Sequence, residues 1–552
     1  MKTKSYNKSD YTVPFYDTIP QFMAGMVQTW GDRPALSWFT RKQEEHTLTY
    51  REMVGKAGAL RRAMAARNIT PGAHVAILGE NSADWILAFL AATSLGCVAV
   101  CADTEQSDDT IRDMVRRCDA KTIFLSPTFL SICLPLLEDG TLERIILMGT
   151  RPMDPRAELI GTLYEEGAAL EEDSPCVALD ATAEIVFTSG TTSQSKMVML
   201  SQKAVMQNLC DSSLYVTFYD RVFCSLPFYH AYGLNCAVLN SFLRGCHLYI
   251  NGDLKTTMRD LKLAKADTML TVPLMLEAIH NQIWLGAEQS GKADGLRKLL
   301  KAAGLFRKAG MKLPGDTLDQ LREKALGTLR LIICGGAHLG QELSEEFELL
   351  GVQVLQGYGI TECAPLISVN CNYANKLGSV GLPLPSCQVK LVDDEVWVKG
   401  PSVMQGYYKD PEQTAEALQD GWFNTGDLGS IDKDGFLFLT GRKKNLIVFK
   451  NGKKISPEKL ELLLSAIPMV KEVMVSGTAN GTMADDVKLT ASIFPDPQRT
   501  QGMSSYEVLE HIQREVDAIN RDLPTYQQIQ LVNIREKEFN KTGTKKIKRH
   551  SN

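Results

Sequence analysis

At 552 residues and 44% hydrophobic content, the chain can bury a large core and is long enough to divide into two or more domains. A formal net charge of -5 supplies no overall field for nucleic acid or an anionic membrane, so any basic contact surface has to be local. The opening "MKTKSYNKSDYTV" is polar and lacks the apolar core of a secretory leader, which makes the cytoplasm the expected compartment.

In chain order, apolar strand-like runs alternate with amphipathic helical segments, beginning with "HVAILG" at 74–79. The following stretch, "WILAFLAATSLGCVAVCA" at 85–102, is uncharged over the length of a transmembrane helix. Gly96 divides it: helical spacing before and β-branched alternation after predict a buried helix to Leu95 and then a strand over "CVAVCA". The runs "KTIFLS", "RIILMG", "AEIVFTS", "DTMLTV", "LRLIICGG" and "VQVLQGYG" continue the alternation. They predict α/β layers, with ligands where loops leave the carboxyl ends of strands. From about Gly378, shorter runs such as "CQVKLVD", "EVWVKG" and "GFLFLTG" predict a small β-rich subdomain. Residues 441–552 contain no cysteine and carry their own elements, including "EKLELLLSAI" and "VKEVMVSG", as expected of a separate small domain. The 13 cysteines form no CxxC pair and have no clustered histidines beside them, so they read as reduced packing residues.

Within "FTSGTTSQSKMVMLS" at 187–201, the pattern predicts a strand from Glu184 to Thr188, a loop from Ser189 to Lys196 and a second strand over "MVMLS". The loop is therefore a hairpin and not the strand-to-helix phosphate loop, whose lysine precedes Ser or Thr; here Met197 follows. Backbone N–H groups, hydroxyls and one ammonium remain, a set suited to a polyphosphate. A polar surface hairpin is the alternative reading.

Six further segments share an order with this one: "LPFYHAYGL" (226–234), "CGGAHL" (334–339), "QGYGITECAP" (356–365), "WFNTGDLG" (422–429), "GRKKNLIVFKNGKKISP" (441–457) and "NKTGTKKIKR" (540–549). Over nearly its whole length the chain resembles the adenylate-forming superfamily, and within it the long-chain fatty acid CoA ligases. The resemblance implies an α/β protein with a large N-terminal adenylation domain over 1–440, built of two layered sheets and a small β-rich subdomain. A small mobile C-terminal α+β domain over 441–552 follows, with a hinge near Lys444. The implied reaction joins a carboxylic acid to ATP with Mg2+, giving an acyl-adenylate, and then to CoA, releasing AMP and pyrophosphate. A carboxylate with a pKa of about 4 is already ionised at neutral pH, so the first step needs charge neutralisation and no general base.

By the same resemblance, Thr188, Ser189, Gly190, Thr191, Thr192 and Lys196 hold the β and γ phosphates, and Lys546 approaches the α-phosphate and the carboxylate. Gly335, Gly336, Ala337, Gln356, Gly357 and Tyr358 surround adenine, beside Thr361 and the expected magnesium ligand Glu362. Asp427 and Arg442 take the ribose, while Tyr229, His230 and Gly233 line or gate the acyl pocket. Lys444 is the pivot for the second step, with Gly452 allowing close passage of the pantetheine arm. Each has a plainer reading: Asp427 as a turn aspartate, Glu362 as a solvated acid, Tyr358 and His230 as core residues, and Lys546 as one of a run of tail lysines.

The chain departs from the family pattern at Ser193, Met197, Gln202, Lys459 and Lys545, which leaves room for a nucleotide- or acyl-binding protein of impaired catalysis. The run from Leu226 to Phe242 contains no acid, which favours an uncharged acyl tail of medium or long length. An acyl carrier protein acting in trans is the alternative acceptor. The stretch 290–313 sets seven Lys or Arg against one Asp around helically spaced leucines, so it is a candidate contact with a membrane surface; a solvated helix pair is the alternative.

Overall fold

A computed structural model describes residues 14–549 except 172, 174, 189–194, 312, 314, 450–453, 480–486, 542–546 and 548. The chain forms two units: Met1–Gln388 with Val398–Phe423, and Val389–Trp397 with Asn424–Asn552.

The larger unit is built on two sheets. In the first, of eight strands, the order runs Gly406–Tyr407, Lys196–Ser201, Thr182–Thr188, Val98–Cys101, His74–Leu78, Thr122–Leu125, Arg144–Leu147 and Ala157–Leu159. From Thr182–Thr188 to Ala157–Leu159 the neighbours are parallel, whereas Lys196–Ser201 and Gly406–Tyr407 join antiparallel at one edge. Val98–Cys101 and Thr122–Leu125 are buried at every position, which is why they read as unbroken apolar runs. The second sheet has nine strands, with Gln353–Gly359, Leu331–Cys334, Thr268–Thr271, Arg221–Cys224 and His247–Ile250 parallel through its middle. Helices pack these sheets, so the apolar segments lie between layers.

The uncharged stretch at 85–102 divides as expected. The helix Ala83–Leu95 starts where the Ser82 hydroxyl accepts from the Trp85 N–H, ends at Gly96, and is followed by Val98–Cys101. Nearly all of its residues are buried, so its hydrophobicity on all sides serves a protein interior. Among the described residues no helix is long and apolar enough to cross a membrane.

In the smaller unit, Val470–Ala479 and Val487–Pro495 pair antiparallel, and Leu531–Ile534 joins in parallel. The helices Pro457–Ser465 and Ser505–Asp522 cover this sheet, and Leu460, Leu464, Ile493, Ile512 and Val516 meet in its core. Ser504 and Glu507 form a reciprocal cap at the start of the long helix. The β-rich segment expected after Gly378 is a five-stranded sheet that includes Gln388–Val392, Glu395–Lys399, Trp422–Ile431 and Leu437–Arg442.

Candidate active site

In the larger unit Thr188, Lys196 and Glu362 are linked at the hairpin, and Gly335–Ala337 lies beside Gln356–Tyr358. Thr188 and Lys196 face each other in the antiparallel pair, closing the neck of the loop. Residues 189–194 between them, and with them the expected phosphate contacts Ser189, Gly190, Thr191 and Thr192 and the departure Ser193, lie outside the described residues. Lys196 projects its ammonium over the ring of Tyr407, 4.5 Å from the centroid. Tyr407 sits in the strand that pairs with Val198 and Met199, and its hydroxyl donates to Oε1 of Glu362 at 2.9 Å. The Met404 N–H donates to the Glu362 carbonyl at 2.8 Å. Hairpin lysine, buried tyrosine and glutamate therefore form one chain of contacts. Tyr407, far along the sequence from both partners, belongs to no segment that the motif pattern singled out.

Glu362 occupies a tight turn, Thr361–Cys363, ended by Ala364 at φ +66°. Asn208, from the helix Gln202–Tyr215, clamps this turn: its amide donates to the carbonyls of Cys363 at 3.1 Å and Leu366 at 2.8 Å and accepts from the Leu366 N–H. The Cys363 thiol is fully buried and pushed well up by that burial, which agrees with a packing role. No group of three or more His, Cys, Asp or Glu able to hold a metal occurs among the described residues. A single carboxylate fits an ion held mainly by substrate phosphates and water.

Gly335, Gly336 and Ala337 follow the strand Leu331–Cys334, and Gln356, Gly357 and Tyr358 lie in the neighbouring parallel strand, where Cys334 pairs with Gln356. Gly336 turns at φ +83°, a backbone conformation natural to glycine. Tyr232 fixes the floor beneath this turn, donating to the carbonyls of Thr271 at 3.1 Å and Ile333 at 3.0 Å. It begins the π-helical stretch Tyr232–Leu239, which carries the end of the acyl-pocket segment. At Gly233 a Cβ would meet the Pro227 carbonyl oxygen at 2.2 Å, so the loop can fold onto the helix only with glycine there. The rings of Tyr229 and His230 lie 4.7 Å apart. Burial, then the nearby carboxylate of Asp103, raises the Tyr229 hydroxyl, which stays neutral.

In the smaller unit Asp427 and Arg442 are opposed in register on adjacent strands, with Nε to Oδ1 at 2.7 Å, and Asp427 is buried. Lys444 lies in a short turn, Lys443–Asn445, after Arg442. Gly452 and Lys546 lie outside the described residues, as does Lys545. What flanks Lys546 is well held. Lys541 pairs with Glu472 and Glu538 and forms a bridge to Ile547, and Arg549 pairs with Glu461 at 2.5 Å and donates to the Val475 carbonyl at 3.1 Å.

Two departures from the family pattern have structural roles. Met197 is buried in the apolar core on one face of its sheet. Gln202, fully buried, accepts from the Ile19 N–H at 2.9 Å and donates to the Thr93 carbonyl at 3.0 Å, tying the helix Ile19–Trp30 to the helix Ala83–Leu95. The basic stretch at 290–313 contains one helix, Ala293–Lys308, whose Leu296, Leu300 and Ala303 turn inward; Leu305 is 70% exposed.

The fold and these side chains together point to one class, the adenylate-forming acid–thiol ligases. The AMP-binding enzyme model matches residues 24–408, and the model of the AMP-binding enzyme C-terminal domain matches 444–552. The chain belongs to this family of AMP-binding enzymes. It is 27% identical over 491 residues to the long-chain-fatty-acid–CoA ligase FadD15 of Mycobacterium tuberculosis, covering 82% of this chain and 78% of the relative. It is also 27% identical over 451 residues to the indoleacetate–CoA ligase of Aromatoleum aromaticum, covering 78% and 81%. Among solved structures it is similar to the anthranilate CoA ligase AuaEII in complex with anthranoyl-AMP, with a TM-score of 0.79, 20% identity and coverage of 98% and 97%. The o-succinylbenzoate CoA synthetase of Bacillus subtilis with ATP and magnesium superposes with a TM-score of 0.73 at 23% identity, covering 96% and 98%. At these identities the solved structures establish the shared fold.

Proposed function

We propose that the protein converts a medium- or long-chain fatty acid to its acyl-adenylate with ATP and then to the CoA thioester, releasing AMP and pyrophosphate. The observation that carries this reading is the contact chain from Lys196 through Tyr407 to Glu362, which sets one cation and one carboxylate at the mouth of a hydroxyl-rich hairpin. In this role Thr188, Lys196 and the loop between them hold the β and γ phosphates, and the turn at Gly335–Ala337 with Tyr358 takes adenine. Asp427 and Arg442 take the ribose, and Lys546 neutralises charge at the α-phosphate. Glu362 would hold magnesium, which when bound offsets negative charge on phosphoryl oxygens. Rotation about Lys444 would withdraw Lys546 so that a thiol can reach the adenylate, with Gly452 beside the pantetheine arm.

An uncharged acyl chain is supported by the absence of acids from Leu226 to Phe242, a run that is buried over most of its length. The relative named indoleacetate–CoA ligase is the reason that aryl and arylacetic acids belong in the same test. Carboxylate-dependent exchange of labelled pyrophosphate into ATP, run over fatty acids of increasing length and over aryl acids, checks the substrate class. Preference for aryl acids would overturn the fatty-acid assignment. Comparing acyl transfer to CoA and to a carrier protein decides the acceptor.

A further inference from the structure

Glu184 lies in the strand Thr182–Thr188, on the way into the phosphate hairpin, and is fully buried. Asn235, fully buried in the π-helical stretch, donates from Nδ2 to Oε1 of Glu184 at 2.8 Å and to the Ala364 carbonyl at 3.4 Å. Both amide hydrogens are thereby used. The other oxygen of each group, Oε2 of Glu184 and Oδ1 of Asn235, is buried with no hydrogen-bond partner. Two acceptors left over on side chains already joined by one bond indicate a missing proton. An ionised carboxylate can only accept, whereas a carboxylic acid has an O–H to give. A proton on Oε2 turns both orphans into one Oε2–H···Oδ1 bond, closing a two-bond ring between carboxyl and carboxamide.

We infer that Glu184 is a positioning residue that works as a neutral carboxylic acid, doubly bonded to Asn235, and that this pair ties the phosphate hairpin to the acyl-pocket helix and to the turn bearing Glu362.

The surroundings agree. No ion pair to Glu184 occurs among the described residues. In register on the flanking strands lie Ala99 and Leu200, neither able to offset a charge. From the same face of the strand Val98–Cys101, the titratable neighbour is the Cys101 thiol, itself raised by burial and then by Glu184. Burial lifts the Glu184 carboxyl to about 7 against the opposing pull of the Asn235 hydrogen bond. Loss of the proton would set acceptor against acceptor and loosen the junction of the three segments.

Glu184→Gln can rebuild both bonds, since its Oε1 accepts and its Nε2–H donates; Glu184→Leu can make neither. On the mildly acidic side, the infrared difference spectrum of wild type minus E184Q is expected to contain the carbonyl band of a neutral carboxylic acid. In pyrophosphate exchange, E184Q is expected to keep its kcat and to lose the alkaline decline of the wild-type profile. E184L is expected to lose kcat by about tenfold to a hundredfold through misplacement of the hairpin. The kinetic arm rests on the adenylation reading; the infrared arm does not, so a wild type inactive toward every acid leaves the pair still testable. Absence of the neutral carboxyl band, or an E184Q as impaired as E184L, would overturn the inference.

Discussion

The Tyr407 hydroxyl donates to Oε1 of Glu362 at 2.9 Å while the same ring lies under the Lys196 ammonium, 4.5 Å from its centroid. One side chain thus orients both the expected magnesium carboxylate and the hairpin cation, through its two chemically distinct ends. Burial and then Glu362 raise the phenol, so it is a donor throughout the physiological range.

Tyr407→Phe removes the hydrogen bond and keeps the ring. A hydrogen bond to a charged group contributes about 1.5–3 kcal/mol, so the exchange rate should fall by at least about tenfold. The magnesium requirement should rise while the KM for ATP changes little, because the ring still supports Lys196. Exchange kinetics at graded magnesium concentrations check this; an unchanged magnesium curve would separate Tyr407 from Glu362.

Asp427 and Arg442 face each other in register, at 2.7 Å. If they bind ribose, Asp427→Asn should raise the KM for ATP by about tenfold and lose the preference for ATP over 2′-deoxy-ATP. Steady-state KM values for the two nucleotides give the answer. A variant that still discriminates between them would make Asp427 a turn residue only.

Lys546→Ala should abolish pyrophosphate exchange yet leave thioester formation from supplied acyl-adenylate largely intact. Arg549, anchored to Glu461 and the Val475 carbonyl, holds the chain just beyond that lysine. Its replacement by methionine should reproduce the defect in milder form, by about tenfold in exchange. Equal loss of both half-reactions in either variant would contradict the division of labour.

Glu184 makes stability depend on pH. Its carboxyl is held at about 7 in the folded chain against an ordinary value of 4.5, so the folded state binds the proton more tightly. The stabilisation is present in full below the ordinary value and is lost as pH rises through about 7, a change of about 3 kcal/mol. Denaturant unfolding of wild type and E184Q across this range should show the wild type losing more stability than E184Q as pH rises. Parallel curves would mean that Glu184 does not titrate there.

The strands were legible because a strand buried on both faces must be apolar along its length, and Val98–Cys101, Thr122–Leu125 and Leu331–Cys334 are of that kind. Gly96 likewise marked the end of one helix, through the change of residue spacing on either side of it. The motif segments could be read because each is a short run of adjacent residues, a local property. Tyr407 and the Glu184–Asn235 pair left no such trace. Tyr407 falls in "QGYYKD", outside every motif segment, and Glu184 only opens the strand-like run "AEIVFTS", with no partner near it in the chain.

From the sequence alone, then, came the alternation of layers, the paired strands on either side of the hydroxyl-rich loop and the order of the motif segments, since each depends on residues near one another in the chain. Which side chain reaches which was decided only by tertiary packing. The edge pairing of Gly406–Tyr407 with Met199 and Val198 brings Tyr407 to Lys196 and Glu362, and the approach of the helix Tyr232–Leu239 to the strand Thr182–Thr188 gives Glu184 its single amide partner. Such contacts join residues distant in sequence, and the charge state of a buried acid follows from the solvent and partners those contacts remove or supply.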